Sequence, residues 1–273
     1  MIERRPRLEG KVAIVTGAGS IGPGIGNGKA TAILFAREGA KVLLADQFAE
    51  RAQETLELIN AEGGVASVFE ADVSKAADCR AMVEVAVERY GRLDILHNNV
   101  GIQCKGSIME VDEELWDNVM AINLKGMMLT SRFAIPQMIA GGGGAIINIS
   151  STAALRSSHN AAYAASKGGI VALTRAMAVD FARDHVRVNC IAPGAVFTPR
   201  IARRVTAEIR ELRRREPLLE IEGSAWDVAW AAVYLASDEA RWVTGIVLVV
   251  DGGEALTRRE GEETAVARSR GLT

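Results

Sequence analysis

The chain has 273 residues, 49% of them hydrophobic and 24% charged, which excludes a mainly disordered polymer and leaves ample material for a buried core. Lys plus Arg is 32 and Asp plus Glu is 34, so a net charge of -2 gives no global basic field of the kind a nonspecific nucleic-acid binder needs. Three cysteines at wide spacing, no membrane-length apolar run and a charged start without an apolar signal core point to a soluble, cytoplasmic protein.

Apolar runs and glycine stops alternate along the chain. Residues 11–16 predict a strand ending in glycines, and 29–38 a helix stopped by Gly39. A second strand is expected over 41–46, a helix over 50–61 and a third strand over 65–71. Residues 76–90 read as a helix ended by Gly91, and 93–97 as a fourth strand. A long helical stretch covers 113–138, interrupted or ended near Pro136; four glycines then precede a strand at 145–150. Helix at 161–184, strand at 186–191, helix at 225–237 and strand at 246–250 complete the pattern. Strands that are apolar throughout are buried on both faces, and strand–helix alternation implies right-handed crossovers. The expected fold is one α/β domain, a doubly wound parallel sheet of the Rossmann type over residues 1–253, followed by a tail at 254–273 rich in arginine and glutamate.

Thr16-Gly17-Ala18-Gly19-Ser20-Ile21-Gly22-Pro23-Gly24-Ile25-Gly26-Asn27-Gly28 joins the first strand to the first helix. Glycines there let backbone N–H groups approach a pyrophosphate at a helix start. Pro23 suits a position just before a helix, so Gly24-Ile25-Gly26 is read as its opening. A P-loop is excluded, because Pro23 and Ala30 stand where that motif needs Gly and Ser or Thr. Asp46 ends the second strand, where a carboxylate accepts from both ribose hydroxyls and repels a 2′-phosphate; Gln47 follows it, and no neighbouring arginine offsets that charge. This favours NAD over NADP.

Tyr163 and Lys167 stand at i, i+4 on one helix face, where an ammonium favours a phenolate. They follow Asn148-Ile149-Ser150-Ser151 at a strand end. His97, His159 and His185 are too scattered for a metal site.

With these motifs in register the sequence resembles the short-chain dehydrogenase/reductase family, from about Gly10 to Gly253. The resemblance rests on Thr16-Gly17 with Gly24-Ile25-Gly26, Asp72-Val73, Asn98-Asn99-Val100-Gly101, Asn123, Ser150-Ser151, Tyr163 with Lys167, Pro193-Gly194 with Thr198, and Asp251-Gly252-Gly253. It implies that Tyr163 is the general acid/base and that Lys167 lowers its pKa and binds the nicotinamide ribose. A serine would orient the substrate oxygen, and Asn123 would hold a water. Spacing back from Tyr163 points to Ser150; the strand end points to Ser151, which is preferred. The resemblance further implies that Asp72 and Val73 line the adenine, that Asn98 and Gly101 pack by the cofactor, and that Pro193, Gly194, Val196 and Thr198 meet the nicotinamide. Homotetramers are common in the family. The glycine loop is longer by three residues before Gly24 than the usual Thr-Gly-x-x-x-Gly-x-Gly.

The expected activity is hydride transfer between NAD(H) and a small secondary alcohol or ketone. A nucleotide-sugar epimerase or dehydratase, and a non-catalytic dinucleotide sensor, are the alternatives. Residues 199–222 form the expected substrate lid. Seven Arg and three Glu between Arg200 and Glu216 suggest either an anionic substrate or a solvated helix, the latter being preferred. Neither a membrane nor a nucleic-acid partner is expected.

Overall fold

The computed structural model describes residues 6–156 and 159–256. Seven strands form one parallel sheet: β1 (Val12–Thr16), β2 (Lys41–Asp46), β3 (Val65–Glu70), β4 (Ile95–Asn98), β5 (Gly144–Ile149), β6 (Val186–Pro193) and β7 (Val247–Val250). Their order is β3-β2-β1-β4-β5-β6-β7. The order reverses direction between β1 and β4, so the connections diverge there and leave a crevice at the carboxyl ends of the strands.

The inner strands present apolar side chains to both faces in alternation. Val15, Leu44 and Ile147 pack on one side against Phe35 and Ile33 of α1 (Asn27–Arg37) and Val228 and Val233 of α9 (Ala225–Ala236). Ile14, Leu43 and Ile146 pack on the other against Met82 of α3 (Ala76–Tyr90), Met138 of α5 (Gly126–Ala140) and Met177 of α6 (Ala161–Asp180). Helix α2 (Ala49–Ala61) covers the β2–β3 end. Gly91 ends α3 with φ 85°, a left-handed conformation that needs glycine. Ser224 and Asp227 form a reciprocal cap that starts α9.

Three expectations change. The helix does not stop near Pro136: α4 (Glu113–Met120) passes through a π-helical turn, Ala121–Lys125, into α5, which continues to Ala140. Ala134, Ile135 and Met138 are buried in the core, and that packing holds the helix across the missing N–H. Helix α1 begins at Asn27 with Gly26 as its N-cap. The lid contains two helices, α7 (Pro199–Ala202) and α8 (Ala207–Arg215). Most of the expected tail, residues 257–273, lies outside the described residues. Its first residue, Glu254, is built into the domain: its carboxylate accepts from the Ala195 N–H at 2.7 Å. Among the described residues no helix is long and apolar enough to cross a membrane.

Candidate active site

A cleft of about 360 Å³ runs along the carboxyl ends of the strands, from Asp46 to Tyr163. Its floor begins at the glycine loop. A Cβ at Gly28 would stand 2.0 Å from the Gly17 carbonyl oxygen, so the helix start touches the turn after β1 closely enough to require glycine. The Gly26 N–H donates to Ser20 Oγ at 2.8 Å. Gly17, Gly26 and Gly28 line the cleft, whereas Gly24 and Ile25 do not. Gly24 packs toward Pro199 of the lid, and Ile25 turns into the core. The helix opening is therefore Gly26-Asn27-Gly28 instead of Gly24-Ile25-Gly26. The loop before it, 18–25, holds eight residues where the usual pattern has three. Pro23 misled the reading because it fits any position ahead of a helix.

Asp46 is buried at the end of β2. Its Oδ2 accepts from the Gly19 N–H at 3.0 Å and its Oδ1 from the Phe48 N–H at 3.2 Å. The expectation that no arginine stands near is corrected. The first turn of α2 brings Arg51 into the same wall, where its Cβ excludes any side chain at Gly19 and its guanidinium stacks on Phe48 at 3.9 Å. Asp72 and Val73 line the cleft. Burial acts to raise the Asp72 pKa, but the Ser74 hydroxyl and N–H and the Lys75 ammonium outweigh it and hold the carboxyl below its usual range.

Asn98 does not reach the cleft. Its amide donates to Asn148 Oδ1 at 2.9 Å and Ser131 Oγ at 3.3 Å, and its oxygen accepts from Thr130 Oγ1 at 2.7 Å. Asn148 in turn donates to Thr174 Oγ1 at 2.9 Å, so a buried polar chain ties β4, β5, α5 and α6 together beneath the site. Asn99, Val100 and Gly101 line the cleft from the turn that follows β4. A Cβ at Gly101 would stand 3.3 Å from Lys167 Nζ and 3.4 Å from Asn123 Oδ1.

Asn123 sits fully buried in the π-helical turn. Its oxygen accepts from the Ile102 N–H at 2.8 Å, and its amide donates to the Ile102 carbonyl and to Ser166 Oγ, both at 3.0 Å. The side chain thus clamps the backbone after β4 onto α6. Both amide protons are engaged, so the side chain has no free donor for the expected water. The widened turn aims it inward, and π-turns of this kind often mark functional sites.

At the far end, α6 carries Tyr163 and Lys167. Lys167 Nζ donates to the Ile149 carbonyl at 2.8 Å and stands 5.6 Å from the Tyr163 ring centre. Ser150 faces inward and donates to the Lys167 carbonyl at 2.8 Å. Ser151 faces the cleft; its hydroxyl, with the Gln103 side chain, stands beside the Tyr163 hydroxyl and favours its ionised form. The expected lowering of Tyr163 is reversed: burial raises its pKa, against Ser151, Gln103 and Arg200, which pull it down. Burial also brings Lys167 down to about 8. In both groups the loss of water around the charged form is the largest cause of the shift.

Pro193, Gly194, Val196 and Thr198 line the wall beside β6. Gly194 is pressed between Asp251 and Glu254, where a Cβ would meet atoms of both at 2.5 Å. Arg51 is a lining residue absent from the expected site, while Gln103, in the loop after the fourth strand, and Arg200, in the lid, were expected only as substrate-side surroundings. Arg200 is visible in the sequence as part of the arginine-rich lid; Arg51 carries no local signal, because helix α2 alone brings it back to the glycine loop. Among the described residues no cluster of His, Cys, Asp and Glu could hold a metal.

The cleft fits a nicotinamide dinucleotide. The cradle at Gly28 and Gly26 admits backbone-to-phosphate contact, Asp46 marks one end, and the Tyr163 hydroxyl marks the other. Residues 22–254 match the family described as Enoyl-(Acyl carrier protein) reductase. An uncharacterized oxidoreductase from Thermotoga maritima is 40% identical over 253 residues, 90% of this chain and 98% of that protein. A solved structure from Burkholderia xenovorans, described as a short-chain dehydrogenase/reductase, is 41% identical with a TM-score of 0.89, covering 93% of this chain and all of that one. A 7 alpha-hydroxysteroid dehydrogenase solved with NADH and 7-oxo glycochenodeoxycholic acid is 34% identical with a TM-score of 0.85, over 91% of this chain and 96% of that one. The fold agrees with these likenesses, and the chain belongs to the short-chain dehydrogenase/reductase family of oxidoreductases.

Proposed function

We propose that the protein catalyses reversible hydride transfer between NAD(H) and a secondary alcohol or ketone, with Tyr163 as general acid/base. The single observation that carries this reading is the Tyr163 hydroxyl at the end of a dinucleotide-sized cleft, flanked by Ser151 and Gln103, with Lys167 beneath it. The cofactor supplies or accepts the hydride when bound. Ser151 holds the substrate oxygen beside Tyr163. In reduction Tyr163 gives its proton to that oxygen; in oxidation it takes the proton back. Burial keeps the phenol protonated at neutral pH, which suits the donor role in reduction. Lys167 faces the ribose side and keeps the α6 face in register through Ile149. Asn123 positions the Ile102 backbone that forms the substrate wall.

NAD is favoured over NADP because a carboxylate at the end of β2, Asp46, suits the ribose hydroxyls and repels a 2′-phosphate. Arg51 in the same wall narrows that preference. A second copy of the chain accounts for the exposed apolar residues of the β7 edge, Ile246 and Val249, and of the segments before it, Trp230 on α9 and Trp242, which is 93% exposed. We infer a homotetramer in the cytoplasm, and analytical ultracentrifugation checks the assembly. Absorbance of NADH and NADPH across a panel of secondary alcohols and ketones tests the activity. Turnover with NAD(H) that depends on the Tyr163 hydroxyl supports it; no turnover of any panel member refutes it.

A further inference from the structure

We propose that the substrate carries a carboxylate close to the reacting carbon and that Arg200 receives it. This deepens the reading of Tyr163 as the proton carrier and rests on it.

The arginines of the lid fall into two sets. In α8, Arg210 pairs with Glu222, and Arg214 and Arg215 share Glu211, at 2.6–2.8 Å. These are solvated helix charges. Around α7, no carboxylate among the described residues pairs with Arg200, Arg203 or Arg204. Of these three, Arg200 reaches furthest into the reaction end of the cleft. Its Nη1 donates to the Gly101 carbonyl at 2.9 Å, and Gly101 itself abuts Lys167 Nζ. The guanidinium is half-buried. The charged groups that act on it are Arg204 and Arg51, both cations, with the Tyr163 hydroxyl as the one group that favours its charge.

Among the described residues the acids that line the cleft are Asp46 and Asp72, and neither is among the charged groups that act on Arg200. A half-buried guanidinium keeps its charge and is costly to leave without an anion. Its remaining N–H groups suit the two oxygens of a carboxylate. Arg200 stands two residues after Thr198 and its charge acts on the Tyr163 hydroxyl, so an anion held there lies within reach of a carbon addressed by Tyr163. The cofactor's pyrophosphate offers the same kind of charge. Its cradle is the glycine loop, and there the neighbouring lid arginine is Arg203, whose side chain comes within 4.0 Å of a Cβ at Gly22. Placement beside Gly101 and Tyr163 therefore assigns Arg200 to the substrate.

The test compares matched acid and ester pairs, 3-hydroxybutyrate and methyl 3-hydroxybutyrate among them, with NAD in the full chain. The unmodified protein is expected to favour the acid in kcat/KM. Arg200→Leu should reduce the acid-to-ester ratio by about 10–100-fold, the usual worth of a charge-assisted hydrogen bond. Arg200→Lys should recover part of it, and Arg213→Ala, on the outer helix, should leave the ratio alone. If neither member is turned over, calorimetric titration of the same pairs into the protein with NADH reads the same preference. Silence across every pair and the wider alcohol panel would sink the alcohol-oxidising function, while the binding ratio still decides this proposal. An unchanged ratio in Arg200→Leu overturns it. So does a loss of affinity for ADP-ribose in that variant with the acid preference intact, since the arginine would then serve the cofactor.

Discussion

The two ends of the cleft are built on different principles. At the cofactor end, backbone approaches backbone: Gly28 meets Gly17, Gly19 meets Arg51, and Asp46 is fixed by two N–H groups. Little can move without a clash or a lost hydrogen bond. At the substrate end, the lid crosses open space on short helices, with Leu212, Leu218 and Ile221 exposed and Arg200 as a single strap to Gly101. Preorganised contacts suit a ligand that every turnover shares. A loosely packed lid suits a ligand that must enter and leave, and is drawn from the less stable part of the fold.

The sharpest break of this comparison is at the junction of the two ends. Tyr163→Phe keeps the ring and deletes the transferable proton. It is expected to lose ~10²–10⁴-fold in kcat while NADH still binds, since general acid/base catalysis is typically worth that much. Because burial raises the phenol's pKa, its base form grows as pH rises. Alcohol oxidation by the unmodified protein should therefore speed up from pH 7 to 9, while ketone reduction, which needs the protonated phenol, should not. A pH-independent oxidation rate contradicts Tyr163 as the base.

Next comes the rigid end itself. Gly28→Ala places a methyl group 2.0 Å from the Gly17 carbonyl, and both partners are backbone. Overpacking of this kind costs ~1–3 kcal/mol, so we expect a lower melting temperature and roughly tenfold or greater loss of NADH affinity, read by fluorescence titration. The same methyl at Gly168, where the structure leaves open space, should change neither. Equal effects at the two positions would erase the contrast between a cradle and a surface.

A smaller effect separates the two charges at the adenosine end. Asp46→Ala should narrow the NAD-over-NADP preference by about tenfold, the scale of a charged hydrogen bond, mainly through KM for NAD. Arg51→Ala should widen it. If Asp46→Ala leaves the ratio of kcat/KM for the two cofactors unchanged, the carboxylate does not select between them.

How much of this was legible in the sequence follows from the same contrast. The five inner strands were readable because buried parallel strands are apolar almost without interruption, the partly buried edge strands β3 and β7 as short valine-rich runs beside glycines, and Asp46, Tyr163 and Lys167 because they stand at strand ends or one helical turn apart. Registers inside the glycine loop were not. Six glycines within 17–28 admit several helix starts, and only the Gly28–Gly17 contact selects one. Asn98 and Asn99 are neighbours of one type. Strand alternation sends the first into the buried chain with Asn148, and the turn after β4 sends the second to the cleft. Arg51 needed α2 to fold back on Gly19, and Arg200 needed the lid to cross the cleft; neither contact has a sequence period. Burial of Tyr163 and Lys167 together, which reverses the expected shift of the phenol, is likewise a property of the packed site.

The mildest prediction concerns the sheet that lies under both ends. His97 in β4 is fully buried, edge-on to Phe35 at 6.0 Å, and neither ring nitrogen has a hydrogen-bond partner among the described residues. Burial takes its pKa down to about 3 from 6.5. The folded protein therefore holds a neutral ring at every pH above about 3, while the unfolded chain takes up a proton below 6.5. Excess protons on the unfolded state favour it, so stability falls as pH drops through the window from 6.5 to 3, by up to ~1.4 kcal/mol per pH unit. Replacing the ring with an apolar side chain, His97→Leu, removes that contribution and also removes an unpartnered polar group, worth about 1 kcal/mol at neutral pH. Urea unfolding should show the variant about 1 kcal/mol more stable at pH 7.5, and its advantage should grow by about 2 kcal/mol at pH 5. Activity should stay within about twofold, because packing, unlike chemistry, tolerates a swap of similar volume. A variant less stable than the parent at pH 5 would mean that the imidazole has a partner, and that the strand beneath the cleft contributes more than a scaffold.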